Sequence, residues 1–167
     1  TGLVGSEMCI RDRFYTGMQS SSDLSSITRF EKFSHRVSYH SELLIAYQIH
    51  PKLAIQFSPG FLYRNLTNYN DDNGLLNLGS VAKIHLFKKV SLMLEHFWII
   101  NNNNYRVDNY SHPFGIGIEI NTFAHVFQLN FMNSKGLGEG QFLPYTSSKW
   151  SNGEFRFGFT IARKFNT

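Results

Sequence analysis

The stretch Val37-Ser38-Tyr39-His40-Ser41-Glu42-Leu43-Leu44-Ile45-Ala46-Tyr47-Gln48-Ile49 decides the fold. Val37, Tyr39, Leu43, Ile45, Tyr47 and Ile49 share one parity, and Ser38, His40, Glu42, Gln48 and His50 share the other. Successive side chains of a strand point to opposite faces, so this segment predicts a β-strand with one apolar and one polar side.

Working outward, the same period of two recurs in seven segments over the last ~130 residues. After a turn at His50-Pro51-Lys52, Leu53, Ile55, Phe57, Phe61 and Tyr63 alternate with Gln56, Ser58, Gly60 and Arg64. A three-residue turn pairing Ile49 with Leu53 keeps both apolar faces together. Pro59 lacks a ladder donor and predicts a bulge or kink. Leu76–Leu86 and Val90–Ile100 form the next expected hairpin around Phe87-Lys88-Lys89, with Phe97 and Ile99 apolar on the polar side and His96 breaking the apolar one. Phe114–Ile120, Phe127–Phe131 and Phe155–Phe165 complete the set, with a short turn at Thr122-Phe123. The connections alternate between these short turns and long polar loops, at 68–74, 101–111 and 134–153. Phe14–Gln19 reads as the remnant of a further strand, and 20–28 as an exposed loop.

Strands of about ten residues, short turns at one end and long loops at the other predict an antiparallel up-and-down transmembrane β-barrel, of which about eight strands are present. Such a barrel crosses a bilayer because every backbone N–H and C=O finds a partner within it. On this assignment the short turns and the C-terminus lie in the periplasm. No run of eighteen apolar residues occurs, which excludes a transmembrane helix and leaves a barrel untouched. The net charge of +4 is spread over turns and polar faces, so nucleic acid is not an expected partner.

Val4-Gly5-Ser6-Glu7-Met8-Cys9-Ile10-Arg11-Asp12-Arg13 resembles a translated sequencing adapter, so residues 1–13 are set aside as non-native and 14–167 are read as the C-terminal part of one barrel domain. Cys9 is the only cysteine; without it, disulfides, thiol catalysis and cysteine metal sites are excluded.

His125-Val126-Phe127-Gln128-Leu129-Asn130-Phe131-Met132-Asn133-Ser134-Lys135-Gly136, then Gln141-Phe142, Trp150 and the closing Phe155–Arg163, resemble the C-terminal signature of a Gram-negative outer-membrane β-barrel family named as domain of unknown function 5777. The hairpin from Ser38 to Arg64, with Leu43-Leu44-Ile45-Ala46 and Arg64-Asn65-Leu66, is similar as well. The resemblance implies an outer-membrane barrel and carries over no catalytic or binding residues. The final Phe-rich strand is also similar to the signal read by barrel-assembly machinery, from which Arg163 and Asn166-Thr167 depart.

A soluble lipocalin-like barrel binding an apolar small molecule has the same alternation with its apolar face inward. Two features favour lipid. The polar face is rich in Ser, Gly, Asn, Gln and Thr and lacks the Lys/Glu density of a soluble exterior. Aromatics on the apolar parity also gather in two levels, Tyr39, Tyr63, Trp98, Phe114, Phe131 and Phe155 at one and Tyr47 and Phe165 at the other, as interfacial girdles do.

The lumen-facing polar candidates are Ser38, His40, Glu42, Gln48, Gln56, Arg64, Lys83, Glu95, Glu119, Gln128, Asn130 and Arg156. Ser38, His40 and Glu42 suggest a barrel-embedded hydrolase, yet same-face neighbours on a strand lie ~6.6–6.8 Å apart and a triad needs contacts near ~3 Å. A hydrogen-bonded ladder is the expectation. Lys83 is expected to meet Glu95 diagonally, and Arg64 the polar groups near Ser38 and His40, either satisfying one another or forming a weak selectivity filter. The seven histidines, His35, His40, His50, His85, His96, His112 and His125, fall on different elements without metal spacing. Asp71 and Asp72 lack calcium-loop spacing and read as a solvated loop. Gly136–Gly140 matches a phosphate loop only in its glycines. No cofactor or metal is expected. The expected function is non-enzymatic, as a pore, transport component or scaffold in the outer membrane, with lipid, the assembly machinery and an unidentified solute as partners.

Overall fold

Each alternating segment becomes one strand of a single sheet. The computed structural model describes residues 10–20, 33–100, 103–136 and 138–163. Strands β1 (Ile10–Ser20), β2 (Val37–His50), β3 (Leu53–Arg64), β4 (Gly74–Phe87), β5 (Val90–Ile100), β6 (Phe114–Asn121), β7 (His125–Met132) and β8 (Arg156–Arg163) lie side by side in chain order. Every neighbouring pair is antiparallel, and the eight strands form a half-barrel. Phe165 of the expected girdle lies outside the described residues.

β1 takes in Ile10–Arg13, from the segment set aside above, pairing Arg11 with Ala46 and Asp12 with Ile45. Going back from Phe14 the apolar alternation fails, since Asp12 stands on the parity of Ile45.

Two turns differ from expectation in detail. The β2–β3 hairpin closes at His50–Leu53 over two residues, with a register shift between Gln48 and His50 that leaves Ile49 as the extra residue. Phe87 pairs with Val90 in the same way, with a shift after His85. An inserted residue in one strand lets a two-residue turn coexist with preserved facing, so Tyr47 still meets Ile55 and Ile84 still meets Leu92. At Pro59 the predicted bulge is absent. The register on either side, Glu42–Gly60 and Ile45–Phe57, is continuous, and the proline leaves a gap in the β2 ladder while pairing with Leu78 of β4.

Burial is inverted relative to a soluble protein. Phe57, Phe61, Trp98, Ile100, Phe157, Phe159 and Ile161 are exposed, while His40, Glu42, Ser58, Arg64, Asn77, Ser91 and Glu119 of the opposite parity are buried. Water-exposed surfaces do not collect large apolar side chains in such rows; hydrocarbon is the solvent that suits them. Among the described residues no helix is long and apolar enough to cross a membrane.

Among the described residues the buried apolar cluster lies at the long-loop end. In the β7–β8 connection the short helix α2 (Glu139–Tyr145) packs against β2 and β3 and places Leu143 among Leu62, Leu75 and Phe97, with Ile99 and Phe142 beside them. The Phe97 and Phe142 rings meet edge to face at 5.1 Å. Phe97 and Ile99, out of place as lumen residues, are in place beneath a helix. Gly79 makes room for this, because a Cβ there would collide with Ser58 Oγ and stand 2.8 Å from the Phe97 ring. Seven residues are too few for a stable isolated helix, so α2 depends on this docking.

Candidate functional site

The face that carries α2, hereafter the inner face, holds all twelve polar candidates, since their parity is opposite to that of the exposed apolar rows. Gln48 and Glu95 are exposed there, Ser38, Gln56, Lys83, Gln128, Asn130 and Arg156 half-buried, and the other four buried.

The expected ladder at Ser38, His40 and Glu42 is not formed. Ser38 Oγ donates to the Gln19 carbonyl at 3.4 Å, and both ring nitrogens of His40 are buried without a partner. Strand spacing keeps these neighbours beyond hydrogen-bond reach. Asn77, which with His40 flanks Gly60, is also unpartnered at both amide atoms.

Lys83 does not pair with Glu95. Its ammonium reaches past β5 to Glu119 of β6 at 2.7 Å, where Gln128 at 3.2 Å and Asn121 also donate to the same carboxylate. Lys83 opposes Met93 and Glu119 opposes Ser91, so the small serine lets the long lysine chain cross one strand. Ser91 Oγ is itself 2.8 Å from His85 Nδ1.

Arg64 turns away from Ser38 and His40 toward the β3–β4 loop. Its Nη2 donates to Asp71 Oδ2 at 3.1 Å and to the Asp72 carbonyl, and its guanidinium lies 5.3 Å from the Tyr145 ring. Asp71, expected in a solvated loop, is buried. Arg106 of helix α1 (Asn104–Asn109), in the β5–β6 loop, grips both of its carboxylate oxygens from Nη1 at 2.8 Å and donates from Nη2 to the Pro144 carbonyl of α2 at 2.8 Å. The side chains of Arg64, Arg106 and Asp71 are at most 5% exposed. A buried carboxylate between two guanidiniums thus ties three loops together. Charges this deeply buried persist only when paired and hydrogen-bonded. Tyr110 lies under Arg106, 4.8 Å from ring centre to guanidinium. Burial first, then Tyr105, Asp71 and Tyr145, push its hydroxyl above the usual tyrosine range, against the pull of Arg106.

A second tie is Asn133. Its Oδ1 accepts from the Phe114 N–H at 2.8 Å, and its Nδ2 donates to the carbonyls of His112 at 3.1 Å and Ser148 at 2.9 Å. Arg156 donates to the Asn133 carbonyl and to Ser148 Oγ, and Trp150 Nε1 to the Phe114 carbonyl. Neither Asn133 nor Arg106 stood out in the sequence, because the signal was their distance in the chain from their partners. The histidines remain dispersed except for His96 and His112, whose rings approach to 6.0 Å beside Trp98 and Phe114. Burial and the neighbouring His96 both lower the His112 pKa. Among the described residues no group of three His, Cys, Asp or Glu is placed to hold a metal.

Below α2 the inner face opens into two cavities that share Glu95, one of 280 Å³ reaching Glu139 and Phe142 and one of 340 Å³ reaching Gln56, Gln128 and Asn130. Helix α2 with its loop therefore covers the mouth of a concavity lined by both apolar and polar side chains.

A family profile described as a membrane-bound beta barrel domain, domain of unknown function 5777, matches residues 6–165, and the chain belongs to that family. No curated protein and no solved structure matches it.

Proposed function

We propose that this membrane-bound barrel domain works in the outer membrane of a Gram-negative cell as a non-enzymatic pore or transport element, with the β7–β8 loop as its plug. The observation that carries the reading is the inversion of burial, with rows of Phe, Ile and Trp exposed and Glu, Arg, His and Asn covered on the other face. Lipid is the partner of the first face and solute the partner of the second. The Phe-rich β8 offers the assembly machinery its docking strand. Against a hydrolase at Ser38 stands His40, whose ring nitrogens bond neither Ser38 nor Glu42 and so leave Ser38 without an activating base.

The test begins with detergent. Monodisperse folded protein without detergent or lipid contradicts the membrane reading and favours the soluble ligand-binding barrel. A lipid-phase photoprobe should label Ile45, Phe57 and Phe159 in preference to Gln56 and Gln128. Planar-bilayer recordings then decide the role: steps above the lipid baseline support a pore, and their absence in both wild type and a plug-released Asp71→Asn variant supports a scaffold.

A further inference from the structure

We infer that the short-turn rim of the barrel docks on the headgroups of anionic phospholipids, with Lys52, Lys88 and Lys89 meeting the phosphates and Phe87 and Phe123 wedged beside them. The inference rests on the membrane-barrel reading and adds which lipid that end selects.

The sheet itself builds this rim. The β2–β3, β4–β5 and β6–β7 turns lie at one end, and backbone bonds join them in a row: the His85 N–H donates to the Lys52 carbonyl at 2.8 Å and the Asn121 N–H to the Lys89 carbonyl at 2.7 Å. Lys52, Lys88 and Lys89 are thereby set along one edge, and all three are exposed. The ion pairs among the described residues use Arg64, Lys83 and Arg106, and none engages these three lysines. Segments 48–54, 84–91 and 120–125 contain no Asp or Glu. Of the acids nearest this end, Glu119 is taken by Lys83, and Asp12 on β1 stands between Arg11 and Arg13. The loops at the other end mix Lys135 and Lys149 with Asp108, Glu139 and Glu154. The unbalanced positive charge therefore belongs to the turns, and it attracts phosphate.

Two aromatic rings accompany that charge. Phe87 is 74% and Phe123 91% exposed, each at a turn of the same rim. Strand β5 runs from Val90 to Ile100. At ~3.3 Å per residue and a tilt of ~40° it rises ~25 Å along the membrane normal, the height of a barrel's apolar band. The turns thus emerge where hydrocarbon gives way to headgroups. At that level a lysine keeps its stem on apolar surface and its ammonium among phosphates, and aromatic rings fill the boundary. A wall glycan in water would meet the lysines and leave the rings bare, so charge and rings together select lipid.

The test uses the full chain folded into phosphatidylcholine vesicles, with spin-labelled phosphatidylglycerol and phosphatidylcholine as probes of the lipid held against the protein. The expected result is an about fivefold preference for the anionic label at low salt, lost in the triple variant Lys52→Gln, Lys88→Gln, Lys89→Gln and weakened by added salt. Lys149→Gln, exposed at the long-loop end, should keep the wild-type preference. A lipid-phase photoprobe should label Phe87 and Phe123. Equal retention of the two lipids, a preference that survives the triple variant, or unlabelled rings overturns the inference, as does lysine-dependent binding to peptidoglycan sacculi without a lipid preference. Equal retention by a chain that folds only in bilayers or micelles sinks the rim and spares the membrane reading; folding without lipid or detergent sinks the membrane reading itself.

Discussion

Phe159 on β8 and Phe97 on β5 are the same residue on the same kind of strand, yet Phe159 is 54% exposed and Phe97 8%. The outer belt and the mouth core differ in what covers them. Along the belt no element among the described residues covers the apolar rows, and hydrocarbon supplies the contact; at the mouth, α2 brings Leu143 and Phe142 down onto the sheet. One molecule therefore contains two apolar environments, one made by the membrane and one made by its own loop. The belt tolerates any apolar side chain of fitting size, while the mouth depends on a particular loop staying closed.

The largest break in that comparison should come from the ion triad. Asp71→Ala leaves two buried guanidiniums without their carboxylate and should cost about 3–5 kcal/mol, read in urea unfolding from micelles and as faster proteolysis within 103–110 and 134–153. Asp72→Ala, whose residue is exposed, should stay within about 0.5 kcal/mol; equal effects of the two would remove the triad as the tie. Next comes the mouth core, where Leu143→Ala should cost about 2–5 kcal/mol of α2 docking. Limited proteolysis should then find the β7–β8 loop open while the strands stay protected.

The belt responds to charge instead of to cavities. Ile45→Arg should cost about 2–4 kcal/mol in lipid, as for a charge near the midplane of a barrel wall, whereas Gln56→Arg on the inner face should cost far less. Similar values for both, measured by folding into vesicles, would contradict the assignment of faces. The smallest expected effect is in the outer rim. The folded pKa of His112 is lowered, so the unfolded chain binds the proton more readily as pH falls through the ordinary histidine range of about 6.5, and acid should weaken the local packing there. NMR titration should place its midpoint below that value, and a midpoint at or above it contradicts the packing of His112 against Ile99 and His96.

Much of the belt was legible because its cause is local. Alternation of Tyr39, Leu43, Ile45 and Tyr47 needs no knowledge of any other strand, and turn length then sets which faces agree. Even the turn error was harmless, since the extra residues at Ile49 and Leu86 restored the facing that the pattern demanded. The Lys83 pairing failed for the opposite reason. Adjacent-strand logic reached Glu95 on β5, and a lysine chain long enough to cross β5 over Ser91 found Glu119 on β6. Asp71 was misread for a similar reason: its partners Arg64 and Arg106 come from separate hairpins, and only their meeting buries it.

The sequence by itself determined that these strands have one apolar and one polar face, how long they are and where they turn, because a two-residue period is imposed by the backbone and reinforced by the solvent on each side. Only the tertiary structure decided that the β7–β8 loop returns to the mouth, that Phe97 and Ile99 belong to a core, and that Asp71 is a buried tie. Those outcomes come from contacts between residues dozens of positions apart, and side-chain reach and loop docking in space leave no period in the chain.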